Sequence, residues 1–298
     1  MNKFVKKGTI AVALISALSF SLAGCGTSNS PTKTASAKEK TVTAKANTTD
    51  TQSQTTQTDS GYNQYLVIEP GGKLGPDGKM HDAFINGDIK ITEGQPVTLH
   101  FLNFDGGTHT YTSADLGLNV QIKGSTKKGQ PEETTYTFTP SKTGTFNWMC
   151  ADKCDGDNGQ WAMVQKGYMQ GTITVLPSTN KVQYVSMVVN PGYKLGSDGK
   201  LHDAFANADI TVKAGQPVEL TVYNFDGGDH TVTSKDLGLN LNVVPSKTNG
   251  TPSVSTVQFT PTKTGKFMWN CADKCDGQNG QWAMAQSGYM MGNINVVQ

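Results

Sequence analysis

The chain has almost no net charge: 25 Lys and Arg stand against 24 Asp and Glu in 298 residues, a formal balance of +1. It therefore has no basic footprint with which to hold nucleic-acid phosphates. Apolar residues are scarce as well. Hydrophobic types make up 36% and aromatics 8%, while glycine is plentiful at 33. No 3.6-residue apolar pattern runs longer than a turn or two, which argues against a helix bundle and for an all-β chain. Past the N-terminal stretch, no segment is apolar enough to cross a bilayer. Cysteines number only five, an odd count, and their placement carries most of the chemistry.

The N-terminus reads as an address. Lys3, Lys6 and Lys7 precede a short run of small and apolar residues that ends in Leu22-Ala23-Gly24-Cys25. This is the layout of a secretory signal. The final four residues resemble the lipobox of bacterial lipoproteins, which implies removal of residues 1–24 and acylation of Cys25. Two or three acyl chains anchor a protein stably, where one alone is marginal. Cys25 would then be the odd cysteine, and the mature chain would lie outside the cytoplasm, lipid-anchored to the cell membrane. The alternative is a plain signal with an unmodified cysteine. Residues 25–61 are dominated by Thr, Ser, Lys, Ala and Gln and contain no aromatic residue before Tyr62. Such a segment cannot bury enough apolar surface to offset its ordering entropy and reads as a disordered tether. At about 35 residues its r.m.s. span is roughly 30–35 Å.

The remainder is one module written twice. Pro70-Gly71 recurs as Pro191-Gly192, His81-Asp82-Ala83-Phe84 as His202-Asp203-Ala204-Phe205, and Asn103-Phe104-Asp105-Gly106-Gly107 as Asn224-Phe225-Asp226-Gly227-Gly228. Cys150-Ala151-Asp152-Lys153-Cys154-Asp155-Gly156 recurs as Cys271-Ala272-Asp273-Lys274-Cys275-Asp276-Gly277. The spacing between copies is constant, so nothing is inserted or deleted. The joint falls near Pro177-Ser178-Thr179-Asn180, giving modules at 62–177 and 182–298. Each is long enough for its own core. Within the first, eight short stretches rich in β-branched and aromatic residues (65–69, 88–91, 97–102, 109–112, 118–122, 134–138, 145–149 and 171–175) are separated by Gly, Pro, Asn and Asp. That spacing predicts a Greek-key β-sandwich in each half.

Soft-ligand residues converge at the end of each module. Cys150 and Cys154 follow a strand ending Phe146-Asn147-Trp148-Met149. Met163 and Met169 precede the last strand, and His109 opens an earlier one. Their counterparts are Cys271, Cys275, Met284, Met290 and His230. Thiolate, thioether and imidazole together suit copper, whereas oxygen-preferring ions need a carboxylate cluster that is not placed here. Three other readings stay open: a disulfide, favoured by an oxidising compartment; a Cys₂His zinc site, which leaves the methionines unexplained; and methionines that simply fill the core.

Over nearly the whole of each module this arrangement resembles the cupredoxin family. There a His comes from an early strand after an Asn-rich stretch, a Cys closes a late strand, and a Met precedes the final strand. Met169-Gln170-Gly171-Thr172-Ile173-Thr174-Val175 and Met290-Met291-Gly292-Asn293-Ile294-Asn295-Val296 match that ending. The paired cysteines look like the CuA centre of cytochrome oxidase subunit II and nitrous oxide reductase, where two thiolates bridge two coppers and the carbonyl between them, here of Asp152 or Asp273, lies near the metal. The resemblance implies His109, Cys150, Cys154 and Met163 or Met169 as ligands, with the second module alike. One departure is shared by both copies: no His lies between Cys154 and Met169 or between Cys275 and Met290. Gln160, Gln165 and His81 are the candidates to complete the site; His81 is alternatively a turn histidine. His100 is unpaired, because Thr221 occupies its place, and reads as a strand-surface residue.

The resulting expectation is a lipid-anchored, extracytoplasmic copper protein that transfers electrons near a respiratory partner. The alternative is Cu(I) binding, storage or delivery to a respiratory oxidase or other copper-receiving protein, without an electron-transfer role. No enzymatic activity is expected, because the chain has no nucleophile triad motif, no phosphate loop and no His-Cys-His string of the kind that marks a trinuclear copper oxidase.

Overall fold

The computed structural model describes residues 62–277 and 281–298. The signal, the acylated Cys25 and the tether expected from the sequence lie outside the described residues. The first module contains β1 (Asn63–Leu74), β2 (Met80–Phe84), β3 (Ile89–Thr92), β4 (Val97–Asn103), β5 (His109–Ser113), β6 (Leu118–Ile122), β7 (Glu132–Phe138), β8 (Gly144–Met149) and β9 (Gln170–Leu176). The second repeats them as β10 (Gln183–Leu195), β11 (Leu201–Phe205), β12 (Ile210–Lys213), β13 (Val218–Asn224), β14 (His230–Ser234), β15 (Leu239–Val243), β16 (Ser253–Phe259), β17 (Gly265–Asn270) and β18 (Met291–Val297). Among the described residues the only helices are single 3-10 turns. The chain is all-β, as its composition and periodicity predict.

Each module is a two-sheet sandwich. In the first, one sheet runs β2-β1-β4-β7 and the other β3-β9-β8-β5-β6; the second follows the same order with β11-β10-β13-β16 and β12-β18-β17-β14-β15. The crossovers make β1 parallel to β4 and β3 parallel to β9, while the remaining pairs are antiparallel. Strands with one solvated face alternate cleanly: in β6, Leu118, Val120 and Ile122 are buried and Asn119 and Gln121 exposed. Between the sheets of module one lies an aromatic core. Tyr111 stacks on Trp148 at 4.5 Å, Phe84 meets Trp148 at 4.7 Å, and Phe101 meets Tyr111 at 5.2 Å. Module two keeps Phe205 against Trp269 at 4.6 Å, but Val222 and Val232 replace Phe101 and Tyr111.

The structure corrects the strand reading in one respect. Nine strands form, not eight, because Met80–Phe84 pairs antiparallel with β1. His81 and Asp82 make this segment read as a loop, yet His81 is 1% exposed and fully partnered.

The two modules pack through β1 and β10, whose middles are buried on both faces: Leu66, Val67 and Ile68 in one, Met187, Val188 and Val189 in the other. Contacts across the joint are reciprocal. Leu74 N–H donates to Gly250 O at 2.8 Å, and Leu195 N–H donates to Gly129 O at 2.9 Å. Tyr62 Oη donates to Tyr184 O at 2.9 Å, and Asn86 Nδ2 donates to Ser186 Oγ at 2.6 Å. The described residues thus belong to one compact unit. The symmetry breaks where Asn190 Nδ2 donates to Glu69 Oε1, since these two residues occupy equivalent positions of the repeat.

Candidate metal centre

His109, Cys150 and Cys154 come together at one end of module one, with their donor atoms all within 4.8 Å of one another; His230, Cys271 and Cys275 do the same in module two. All six are buried. His109 is the first residue of β5, and Cys150 follows the last residue of β8. These strands are neighbours, with Thr112 opposite Met149, so the sheet itself sets imidazole beside thiol. The turn before β5 is shaped by Asn103. Its Oδ1 accepts from Asp105 N–H at 2.9 Å, and its Nδ2 donates to Gly107 O and Lys123 O, each at 2.9 Å. This is why Asn-Phe-Asp-Gly-Gly stands in both copies.

The sulphurs of Cys150 and Cys154 are 3.0 Å apart, far beyond the roughly 2.05 Å of a disulfide bond, and both are free thiols. His109 Nδ1 is 3.1 Å from Cys154 Sγ and 3.9 Å from Cys150 Sγ. Its other nitrogen, Nε2, donates to Asp105 Oδ2 at 2.9 Å. That carboxylate fixes the tautomer and turns Nδ1 towards the sulphurs, as outer carboxylates do for metal-bound histidines. Thr110 N–H donates to Cys150 Sγ at 3.3 Å, and Cys154 Sγ lies 3.2 Å from the Asp152 carbonyl oxygen. Module two repeats the set: Cys271 to Cys275 at 2.9 Å, His230 Nδ1 to Cys275 at 3.1 Å, and His230 Nε2 to Asp226 at 2.8 Å.

These contacts drive the acidities of the two thiols apart. Cys150 is pulled well below the ordinary thiol range, chiefly by the hydrogen bond from Cys154, with further help from His109 and the Thr110 N–H against the cost of burial. Cys154 is pushed up by its thiolate neighbour and by burial. Burial opposes charge on His109, but Asp105 and Cys150 outweigh it and raise the imidazole to about 9. A buried thiolate, thiol and imidazole with a backbone carbonyl beside them form a donor set that fits a soft metal ion, and copper above all. His109, Cys150 and Cys154 would hold it, and binding would displace the remaining thiol proton and the proton on His109 Nδ1.

The remaining sequence candidates divide. Met169 is fully buried, and its carbonyl accepts Cys150 N–H at 2.8 Å. Met163 is half-buried in the 3-10 turn Trp161–Val164; Met290 and Met284 repeat these placements. Gln160 is exposed and Gln165 half-buried. His81 is not aimed at the sulphurs. Its Nδ1 faces both oxygens of Asp155 at 3.0 and 2.9 Å, and its Nε2 faces Asp77 Oδ1 at 3.0 Å. His100 stacks on Tyr65 at 4.6 Å and pairs with Glu133 at 2.6 Å, on the sheet surface as expected. Sequence reasoning missed the roles of Asp105 and Asp155. The signal was there, in their recurrence as Asp226 and Asp276.

Two β-sandwiches in tandem, each with a buried His/Cys/Cys cluster, define an all-β protein equipped to bind copper. No family model matches the chain, and no curated protein does. Among solved structures it is similar to a blue copper oxidase from Nitrosomonas europaea, at 16% identity and a TM-score of 0.29, over 79% of this chain and 86% of that one. It is also similar to the multicopper oxidase mgLAC, at 18% identity and 0.27, over 79% and 86%. A third is a copper-containing nitrite reductase from Thermus scotoductus SA-01, at 16% and 0.26, over 79% and 62%. By name all three are enzymes, which runs against the expectation from the sequence that this chain is not one.

Proposed function

We propose that each module binds copper through Cys150, Cys154 and His109, or Cys271, Cys275 and His230, and that the protein transfers single electrons through these centres. The observation that supports this reading is a buried pair of sulphurs at 3.0 Å with an imidazole nitrogen at 3.1 Å, repeated in the second module to within 0.1 Å. Bound copper supplies a reversible one-electron change. The chain's own contribution is a dry, rigid cage: strands fix two of the ligands, Asp105 orients the imidazole, and the Thr110 N–H stabilises negative charge on Cys150. Met169 and Met290 are assigned as weak thioether ligands on their position before the last strand, with Met163 and Met284 as the alternatives. The leader and Cys25 support placement outside the cytoplasm on a lipid anchor, within reach of a membrane-bound redox partner.

One observation favours a second reading. His81 is engaged at both nitrogens, which leaves one imidazole for two thiols. A donor set this rich in sulphur suits Cu(I) binding, storage or delivery.

Cys150→Ser in the full-length, reduced chain tests the ligand assignment. Copper uptake is expected to fall by about half, with the remainder held in module two. Unchanged uptake would place the metal elsewhere.

A further inference from the structure

His81 and His202 are the most heavily engaged side chains outside the ligand set. His81 lies on β2, is 1% exposed, and has a carboxylate on each ring nitrogen: Asp155 on Nδ1 and Asp77 on Nε2. Burial opposes charge on the ring, but its bonds to Asp77 and Asp155 outweigh it and raise its pKa above the ordinary value. Trp161 stacks on it at 4.0 Å and Tyr168 meets it edge-on at 5.9 Å. Both aromatics come from the segment between Cys154 and β9, so the ring packs against the ligand loop.

Asp155 is the pivot. It follows Cys154 directly and is 1% exposed. Besides His81, its carboxylate accepts Asp82 N–H at 3.2 Å and Ala162 N–H at 2.9 Å, and its own N–H donates to Asp82 Oδ2 at 3.0 Å. Its φ is +86°, a left-handed conformation that costs a non-glycine residue energy. Among the described residues, the non-glycine positions with positive φ are Asp155, Gln160, Asp276 and Gln281, all within the two ligand loops. Strain of this kind persists only where surrounding contacts over-determine it. Module two repeats the device: His202 Nδ1 on Asp276 at 2.9 Å, Nε2 on Asp198 at 2.9 Å, and Trp282 stacked at 4.0 Å.

We propose that His81 and His202 are positioning residues, ion-paired clamps that hold Cys154 and Cys275 in the metal-binding arrangement before any metal arrives. A second histidine within the loop would let the metal itself draw the loop shut. Here the clamp closes it instead, from a strand outside the loop. The inference rests on the copper reading only for its metal readout; the loop-ordering claim stands on the polypeptide alone.

The repeat supplies an internal reference, because His81→Gln alters one module and leaves His202 to report on the other. Two measurements on the full-length chain test the proposal. In the metal-free protein, amide hydrogen exchange over residues 150–164 should speed up while residues 271–277 keep their protection. In a Cu(I) titration against a chelator, the two sites should separate, with module one about 10–100-fold weaker, the usual cost of losing an outer-shell partner, and with its thiolate-to-copper bands shifted after oxidation. Asp77→Asn, at the exposed end of the clamp, should give a smaller change in the same direction and guards against a His81 variant that fails to fold. Unchanged exchange in both loops of the His81 variant would overturn the proposal, as would two sites that remain equal in affinity and spectrum. A chain that takes up no copper in its unaltered form would end the copper reading, and the exchange measurement would still judge the clamp.

Discussion

At the scale of single residues, the centre is set by what surrounds the ligands. Asp105 touches no sulphur itself and acts through His109. Its carboxylate receives His109 Nε2–H and is held well below the usual carboxylate range, first by that bond. Asp105→Asn keeps the shape and removes the charge, so the imidazole becomes a weaker donor to the metal. Copper affinity of module one is expected to fall about 10–100-fold while module two, with Asp226 intact, is unchanged; a chelator titration resolving the two sites checks this. The pairing of the cysteines was legible from their spacing, and their meeting with His109 from its place at the start of a strand. Asp105 and Asp155 were not, because a carboxylate beside glycine reads as a turn residue until the partner it faces is known. His81 was legible as a histidine worth explaining but not as a clamp, since its partners lie 4 and 74 residues away in the chain.

At the scale of elements, the sandwich presents the site and the aromatic core holds the sandwich. Phe84, at the end of β2, is 1% exposed; it packs on Trp148 and Phe101 and stands edge-on to His109 at 6.1 Å. Phe84→Ala should cost about 3–5 kcal/mol of module-one stability and loosen copper binding there, measured by denaturant unfolding followed at the module-one tryptophans. Most strands were legible because their alternation is local: β6 and β9 bury every second residue. The strand that was missed, β2, contains a histidine and an aspartate at buried or half-buried positions. Pattern alone cannot show that such groups have found hydrogen-bond partners, and without partners they would be too costly to bury. β1 was underestimated in length for a related reason: its second half, after Pro70, pairs with β2 past a register shift.

At the scale of the molecule, duplication made two sandwiches and then coupled them. The interface is nearly two-fold, and Glu69 with Asn190 breaks that symmetry. Glu69 is 3% exposed, and burial raises its carboxyl to about 8 from an ordinary 4.5, against the lowering effect of the Asn190 hydrogen bond. The titratable neighbour across the joint is the Tyr193 hydroxyl, itself raised by burial and then by Glu69, Asp105 and Asp82. A raised pKa means the docked state binds the proton more tightly than the separated one. The associated stability is full below about 4.5 and is lost as pH rises through about 8. Thermal unfolding between these limits should therefore show stability falling with rising pH, and Glu69→Gln should flatten the slope. A slope unchanged by that substitution would remove Glu69 from the interface account. Two tandem modules were legible from the constant repeat spacing. Their close packing was not, because the contacts that join them depend on both faces of β1 and β10 being covered.

The central claim is that the two His/Cys/Cys clusters are copper centres, and the most direct test uses the unaltered chain. After reduction and copper loading, metal stoichiometry, the optical spectrum and EPR would be recorded on one sample. The account predicts copper in both modules with intense visible thiolate-to-copper bands. Colourless, EPR-silent uptake would favour Cu(I) storage or delivery over electron transfer. No uptake, with Cys150–Cys154 and Cys271–Cys275 recovered as disulfides before reduction, would contradict it.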